Sequence, residues 1–227
     1  MDSVLAIDSA SEFLSVALSL NGKVYSRSGR ASGGTHSAYV LPWVREVLEE
    51  AGTGLRELSG IAFGAGPGAF TGVRMACAVA QGLAFGAGKK AIGINNLEAL
   101  ALSLGRIGRI AVINDARMSQ FYCAAYDVRE ASFTEISAPR VLSPAEVPDW
   151  VGACRAGLCV GNALEAYGLA LETEKVPAEL DAKELLAWIS FTGARESDFM
   201  PPDKVGPLYV RNHVALTIRE RENGERL

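Results

Sequence analysis

The sequence predicts a duplicated α/β fold, and three observations carry that reading. An apolar strand over 4–8 ends in Asp8 and is followed by a turn and an alternating strand over 14–20. The same unit recurs as a strand over 110–114 ending in Asp115, a polar turn and an alternating strand over 120–126. The two aspartates stand 107 positions apart, and the tenth residue after each, Leu18 and Ala125, falls in the second strand of its unit. The pattern restarts after Gly105, which places a boundary near 102–108 and divides the chain into lobes of 1–104 and 105–227. Between the two units, short apolar strands alternate with helical stretches, as in folds that cover a sheet with helices.

Taken in order, the first strands form a hairpin meander. Asn21-Gly22 is a two-residue turn signal, so 23–28 continues as a third strand. Apolar residues then recur at spacings of three and four from Val40 to Ala51, with Gly52 closing the helix. Leu41, Val44 and Leu48 form the predicted core stripe, and Pro42 falls in the first turn or kinks the helix. Residues 61–64 form a strand, 71–86 a helix rich in small residues, and 91–94 a short strand; Asn95-Asn96-Leu97-Glu98 opens a helix to Leu104. In the second half the chain turns through Pro139, Pro144 and Pro148. A strand over 157–160 leads through Gly161-Asn162 to a helix, 184–191 is helical, and 198–207 is a Pro-rich loop before Leu208-Tyr209-Val210-Arg211. A last helix over about 211–222 returns to the first lobe, and the charged tail 219–227 frays.

Composition narrows the function. Of 227 residues 49% are apolar and 21% charged, the balance of a soluble globular protein, and the net charge is −4. Lys and Arg are scattered rather than gathered in a stripe, which argues against tight RNA binding by this chain alone. Cys77 and Cys123 lie in apolar periodic segments and read as core residues. Cys154 and Cys159 make a CxxxxC with no second pair or nearby histidine to complete a zinc set. No basic leader with a cleavage site opens the sequence and no apolar run reaches the ~20 residues that span a bilayer, so a cytoplasmic setting without membrane association is expected.

The stretch Gly64-Ala65-Gly66-Pro67-Gly68-Ala69-Phe70-Thr71-Gly72-Val73-Arg74 carries the most chemistry. Its glycines let backbone N–H groups crowd one point at a helix start, an arrangement that holds an anion or lets another backbone come very close. No Gly-Lys-Ser/Thr follows, so it is not a Walker loop. Asp8, Ser9, Gly66, Gly68 and Thr71 are the candidates for an anion- or nucleotide-facing loop, with Asp115 and Arg117 their counterparts in the second unit. Each aspartate has a structural alternative: Asp8 caps an Asx-turn, and Asp115 forms an ion pair with Arg117 across the second turn.

A second candidate site is a partner surface. In helix 36–51, Tyr39, Val40, Trp43 and Val47 widen the apolar arc beyond one buried face, and helix 71–86 carries small residues on several faces. Together with His36, Arg74 and Ala78 these residues form the candidate interface. The alternative is a neighbouring loop that covers Tyr39 and Trp43, with His36 making only a local hydrogen bond.

Leu5-Ala6-Ile7-Asp8-Ser9 with Ser15-Val16-Ala17-Leu18, His36 with Leu41-Pro42, the string over 66–74, Gly82-Leu83-Ala84, Leu97-Glu98-Ala99-Leu100, Asp115-Ala116-Arg117, Val160-Gly161-Asn162 and Pro207-Leu208-Tyr209-Val210-Arg211 together resemble the TsaB (YeaZ) family, in order, from residue 3 to about 213. The resemblance implies a two-lobed actin/Hsp70-like (RNase-H-like) fold. It also implies a part in making threonylcarbamoyladenosine beside the anticodon of tRNAs that read codons beginning with A. In that role the chain is the non-catalytic partner of the paralogue TsaD, pairs with it as a heterodimer through the two helices, and works with the ATPase TsaE. Alone it forms a homodimer through the same surface, and it meets tRNA only through the complex. The resemblance implies no catalytic residue, metal or cofactor, with weak nucleotide binding left open.

In TsaD-type chains the segment after the Gly-rich helix reads Asn-His-Leu-Glu-Gly-His, and the two histidines hold a metal. Here Asn96 and Leu100 stand at those positions, and Leu100 has no ligand atom. Two other classes stay in view. An ATPase or kinase with its own nucleotide site needs phosphate loops in both halves, and 157–163 offers only a short, Gly-poor version. A peptidase needs the metal ligands that are replaced, and no Gly-x-Ser-x-Gly elbow supports a serine hydrolase.

Overall fold

A computed structural model describes residues 3–30 and 36–211, so the predicted last helix and the charged tail lie outside the described residues. Two five-stranded sheets of identical order arise from the two halves. The first contains β1 (Ser3–Asp8), β2 (Phe13–Leu20), β3 (Lys23–Arg30), β4 (Gly60–Gly66) and β5 (Ala91–Asn95) in the order β3-β2-β1-β4-β5. The second contains β6 (Gly108–Asp115), β7 (Phe121–Val128), β8 (Phe133–Leu142), β9 (Leu158–Gly161) and β10 (Glu174–Pro177) in the order β8-β7-β6-β9-β10. In each, three antiparallel strands are extended by two parallel ones. The repeated unit read from Asp8 and Asp115 is therefore the first hairpin of each sheet, with Asp8 opposite Ser15 and Asp115 opposite Phe121. This is the duplicated, two-lobed RNase-H-like arrangement of actin-type folds. The Asn21-Gly22 turn has both residues at positive φ, +51° and +80°, as a tight hairpin requires.

Among the described residues five α-helices divide among the sheet faces. α1 (His36–Ala51) and α2 (Phe70–Ala87) cover one face of the first sheet and bury Leu5, Ile7, Leu14, Val16, Ile61 and Phe63. α4 (Val147–Cys154) covers the outer face of the second sheet over Ile113, Phe121 and Cys159. Between the sheets lie α3 (Asn96–Ser103), against β6, β7 and β9, and α5 (Ala182–Thr192), against β1, β2 and β4. α3 of the first half and α5 of the second thus each pack on the other half's sheet, and one core joins the lobes through Ala6, Ile94, Leu100, Val112, Tyr126 and Leu185. After α5 the chain runs back to the first lobe: Met200 pairs with Ala91, and Leu208 N–H donates to the Ala65 carbonyl at 2.7 Å.

The second half differs from its sequence reading in several places, β10 being a strand that the reading does not contain. β8 runs through Pro139, where a turn was expected; it is an edge strand, and its pairing with β7 shifts register beside the proline. Pro148 lies in the first turn of α4, where a missing N–H costs nothing. The helix expected after Gly161-Asn162 is reduced to one 3-10 turn, Ala166–Gly168, because Tyr167 and Gly168 take left-handed φ of +55° and +66°. Among the described residues that half has no counterpart of α2.

α1 also presents a different face. Val40, Val44, Val47 and Leu48 are buried, whereas Leu41 is 53% exposed. Trp43 leans over β3 and packs on Gly29, its indole at an ordinary contact distance of 3.7 Å from where a Cβ would sit. Arg27 of β3 pairs with Glu46 and Glu50 at 2.8 and 2.9 Å. Val44 and Leu48 thus keep the buried positions predicted for them, and the buried arc extends to Val40 and Val47 instead of Leu41. Val40 and Val47 are core residues of the first lobe and not partner-facing. Pro42 is the seventh residue of the helix and not in its first turn.

Candidate functional site

The glycine-rich turn is closed on the protein's own backbone. Ala69 N–H donates to the Ala10 carbonyl at 2.6 Å, and Ser9 Oγ donates to the Gly72 carbonyl at 2.8 Å. A Cβ at Gly72 would strike the Ser9 carbonyl, and one at Gly68 would lie 2.5 Å from the Ala10 oxygen and 2.6 Å from its Cβ. Of the two uses such a turn has, this one admits a second backbone, the β1–β2 turn, to the start of α2. Thr71 stands exposed in the first turn of α2.

Asp8 is fully buried at the end of β1. Its Oδ1 accepts from Asn96 Nδ2 at 2.7 Å and its Oδ2 from Ala10 N–H at 3.3 Å, the latter being the Asx-turn read from the sequence. Burial pushes its carboxyl up from 3.8 to about 7, with the Asp181 and Glu184 charges adding to the rise and the two hydrogen bonds opposing it. The Asn96 amide is used at both ends, since its Oδ1 also accepts from Gly66 N–H at 2.8 Å. Leu100 is 1% exposed and sits in the inter-sheet core. The two positions that hold metal-binding histidines in TsaD-type chains thus carry a hydrogen-bonded clamp and a core leucine, and this donor set does not fit a metal. Among the described residues no group of three His, Cys, Asp or Glu side chains could hold one.

Between the lobes lies a cleft of about 530 Å³, within the size range of small-ligand sites. Asp8, Gly68, Asp115 and Arg117 line it together, while Ser9 and Thr71 do not. Asp115 makes the ion pair foreseen for it, Oδ2 lying 3.4 Å from the Arg117 guanidinium, and its Oδ1 also accepts from Arg117 N–H at 2.8 Å. Arg117 reaches on across the cleft to Glu12 of the β1–β2 turn at 2.8 Å; Arg30 pairs with Glu12 at 3.3 Å and with Glu179 at 2.8 Å. These pairs hold the Glu12 carboxyl below the usual carboxylate range. Asn114 and Asn162 cross-link β6 and β9, each side-chain oxygen accepting the other strand's N–H, at 2.9 and 3.1 Å. Glu12 and Arg30 were not singled out by sequence, because isolated charges carry no spacing signal, and Arg211 was quoted only as the end of a family-like string with no role attached.

The outer face of α2 is open. Arg74, Ala78, Gly82, Phe85 and Gly86 are exposed there, Phe85 at 82%, and a Cβ on Gly82 or Gly86 would meet nothing within 4 Å. Arg74 is committed within the chain: its guanidinium stacks 3.6 Å above the Phe70 ring, and its Nε donates to Tyr209 Oη at 2.8 Å. On α1, Tyr39 is exposed and touches the half-buried Trp43, with ring centroids 6.0 Å apart. His36 Nε2 lies 3.2 Å from the Glu12 carbonyl, the local hydrogen bond considered for it.

Comparison with known proteins gives a consistent picture. The family model of TsaD, tRNA N6-adenosine threonylcarbamoyltransferase, matches residues 30–173. The Haemophilus influenzae tRNA threonylcarbamoyladenosine biosynthesis protein TsaB is 31% identical over 93% of this chain and 94% of its own; its Escherichia coli namesake is 33% identical over 93% and 96%. The solved structure of YeaZ from Pseudomonas aeruginosa superposes with a TM-score of 0.80 at 31% identity, covering 92% of this chain and all of that one.

Proposed function

Because the chain belongs to the TsaB family, we propose that it serves tRNA threonylcarbamoyladenosine biosynthesis as a non-catalytic subunit. Its partner is the TsaD paralogue, and the ATPase TsaE works with the pair. The subunit supports transfer of the threonylcarbamoyl group from threonylcarbamoyl-AMP to the adenosine next to the anticodon, and it reaches tRNA through the complex. The observation that carries the non-catalytic part of this reading is Asn96: its amide is spent between Asp8 and Gly66, beside a buried Leu100. The glycine-rich turn supports it too, since the chain's own backbone fills the place an anion would take.

The pairing surface is the outer face of α2, where Ala78, Gly82 and Gly86 let a partner helix come close and Phe85 supplies an apolar anchor. Tyr39 and Leu41 on α1 extend the apolar surface of this lobe. The same face makes a homodimer when TsaD is absent. The test is reconstitution. Purified TsaD, TsaE, threonylcarbamoyl-AMP and tRNA should modify tRNA only when this chain is added, and the chain alone should neither modify tRNA nor hydrolyse ATP. Modification at full rate without it, or ATP turnover by it alone, would overturn the reading.

A further inference from the structure

We propose that Arg30 and Arg117 form a binding site for a multivalent phosphate, which the protein keeps filled with the carboxylate of its own Glu12. Two guanidinium groups, one from each lobe, converge on this single carboxylate: Arg117 on Oε1 at 2.8 Å and Arg30 on Oε2 at 3.3 Å. All three side chains line the 530 Å³ cleft, and Arg211 lines it too, its guanidinium 2.6 Å from Gln120 Oε1 and 3.1 Å from the Ala116 carbonyl.

Guanidinium groups set on both sides of one anion are the geometry that oxyanions of higher charge exploit best, because each extra oxygen accepts another N–H. The internal occupant is easily exchanged. The Arg117 and Glu12 side chains are 64% and 62% exposed, and ion pairs so exposed hold their partners weakly. With Glu12 swung out to solvent, Arg30, Arg117 and Arg211 share the cleft with the carboxyls of Asp8, Asp115 and Glu179, and the site loses one negative charge.

The turn that presents Arg117 is preorganised. Arg117, Met118 and Ser119 all hold left-handed φ, at +62°, +54° and +54°, a run that non-glycine residues rarely sustain. It is fixed by Ala116 N–H to the Gln120 carbonyl at 2.9 Å and Gln120 N–H to the Arg117 carbonyl at 3.1 Å. The site is separate from the glycine-rich turn, whose amides are spent, and it does not depend on the pathway proposed above. Since Glu12 and Arg117 belong to different lobes, the incoming phosphate would also replace a lobe-to-lobe contact.

Calorimetric titration of the full chain with inorganic tripolyphosphate tests this, with ATP as the second arm. The parent should bind tripolyphosphate saturably. Glu12→Gln, which removes the internal competitor, should bind on the order of threefold to tenfold tighter. The Arg30→Gln/Arg117→Gln double variant should bind at least about tenfold more weakly, while Glu130→Gln, the same charge change as Glu12→Gln in the exposed turn between β7 and β8, should match the parent. Equal affinity for ATP places recognition in the phosphates alone, and tighter ATP binding adds a contribution from the nucleoside; either outcome supports the site. No saturable tripolyphosphate binding even to Glu12→Gln overturns it. So does equal tightening by Glu130→Gln, or binding that the double variant leaves unchanged. If the double variant does not fold, the Glu12→Gln comparison with the parent decides alone.

Discussion

Asn96 Nδ2 lies 2.7 Å from Asp8 Oδ1, and the Oδ1 of the same amide accepts the Gly66 N–H at 2.8 Å. One buried side chain thereby ties the end of β1, the start of the glycine-rich turn and the start of α3, where Asn96 is 3% exposed. Replacing it by Ala leaves a buried N–H and a buried carboxyl without their partner, so Asn96→Ala should cost about 3 kcal/mol. Urea unfolding at neutral pH checks this; a loss under about 1 kcal/mol would mean that water replaces the amide.

The Asp8 carboxyl gives the protein a specific pH dependence. Burial raises it from 3.8 to about 7, so between about pH 4 and 7 the folded chain holds a proton that the unfolded chain has released. The stability this group contributes is complete below about pH 4, falls as pH rises towards 7, and changes no further above that. Burial also raises Glu98 and Glu184, but those residues are common to parent and variant. The stability of the parent relative to Asp8→Asn should therefore decline from pH 5 to about 7 and then stay level. Urea midpoints at several pH values measure it, and a constant gap across the range would contradict the assignment.

Two glycines of α2 should respond in opposite directions. At Gly72 a methyl group would strike the Ser9 carbonyl, so Gly72→Ala should destabilise by about 2–4 kcal/mol. Gly82 has open space around it in an exposed helix interior, so Gly82→Ala should stabilise by up to about 1 kcal/mol. Thermal melts of the two variants give both signs directly.

Much of this architecture is legible in the sequence because its signals are local. The strand-ending aspartates, the Asn21-Gly22 turn and the glycine cluster each act over a few residues, and each fixes one hairpin or one strand-to-helix turn. What was misread depends on distant neighbours. Leu41 and Val40 both fit a helical stripe; which of them is buried depends on how α1 seats on β2 and β3, where Trp43 packs over Gly29 and Arg27 pairs with Glu46. The helix expected after Asn162 yields to the left-handed Tyr167 and Gly168. At the candidate site, Asp8 with its Asx-turn and the Asp115–Arg117 pair could be anticipated from residues two apart. Glu12 and Arg30 could not, since Glu12 meets Arg117 across 105 residues of chain and only the packing of the two lobes brings them together.

The central claim is that this chain works by pairing through the outer face of α2, and one measurement tests it most directly. Ala78→Arg/Gly82→Arg places two bulky charges on that face without touching the chain's own core, because Ala78 is exposed and a Cβ at Gly82 meets nothing within 4 Å. Sedimentation velocity of the purified variant mixed with the TsaD paralogue reads out pairing. The account predicts that the variant melts like the parent but sediments as separate chains at concentrations where the parent forms the heterodimer. A variant that folds and still pairs with TsaD as tightly as the parent would contradict it.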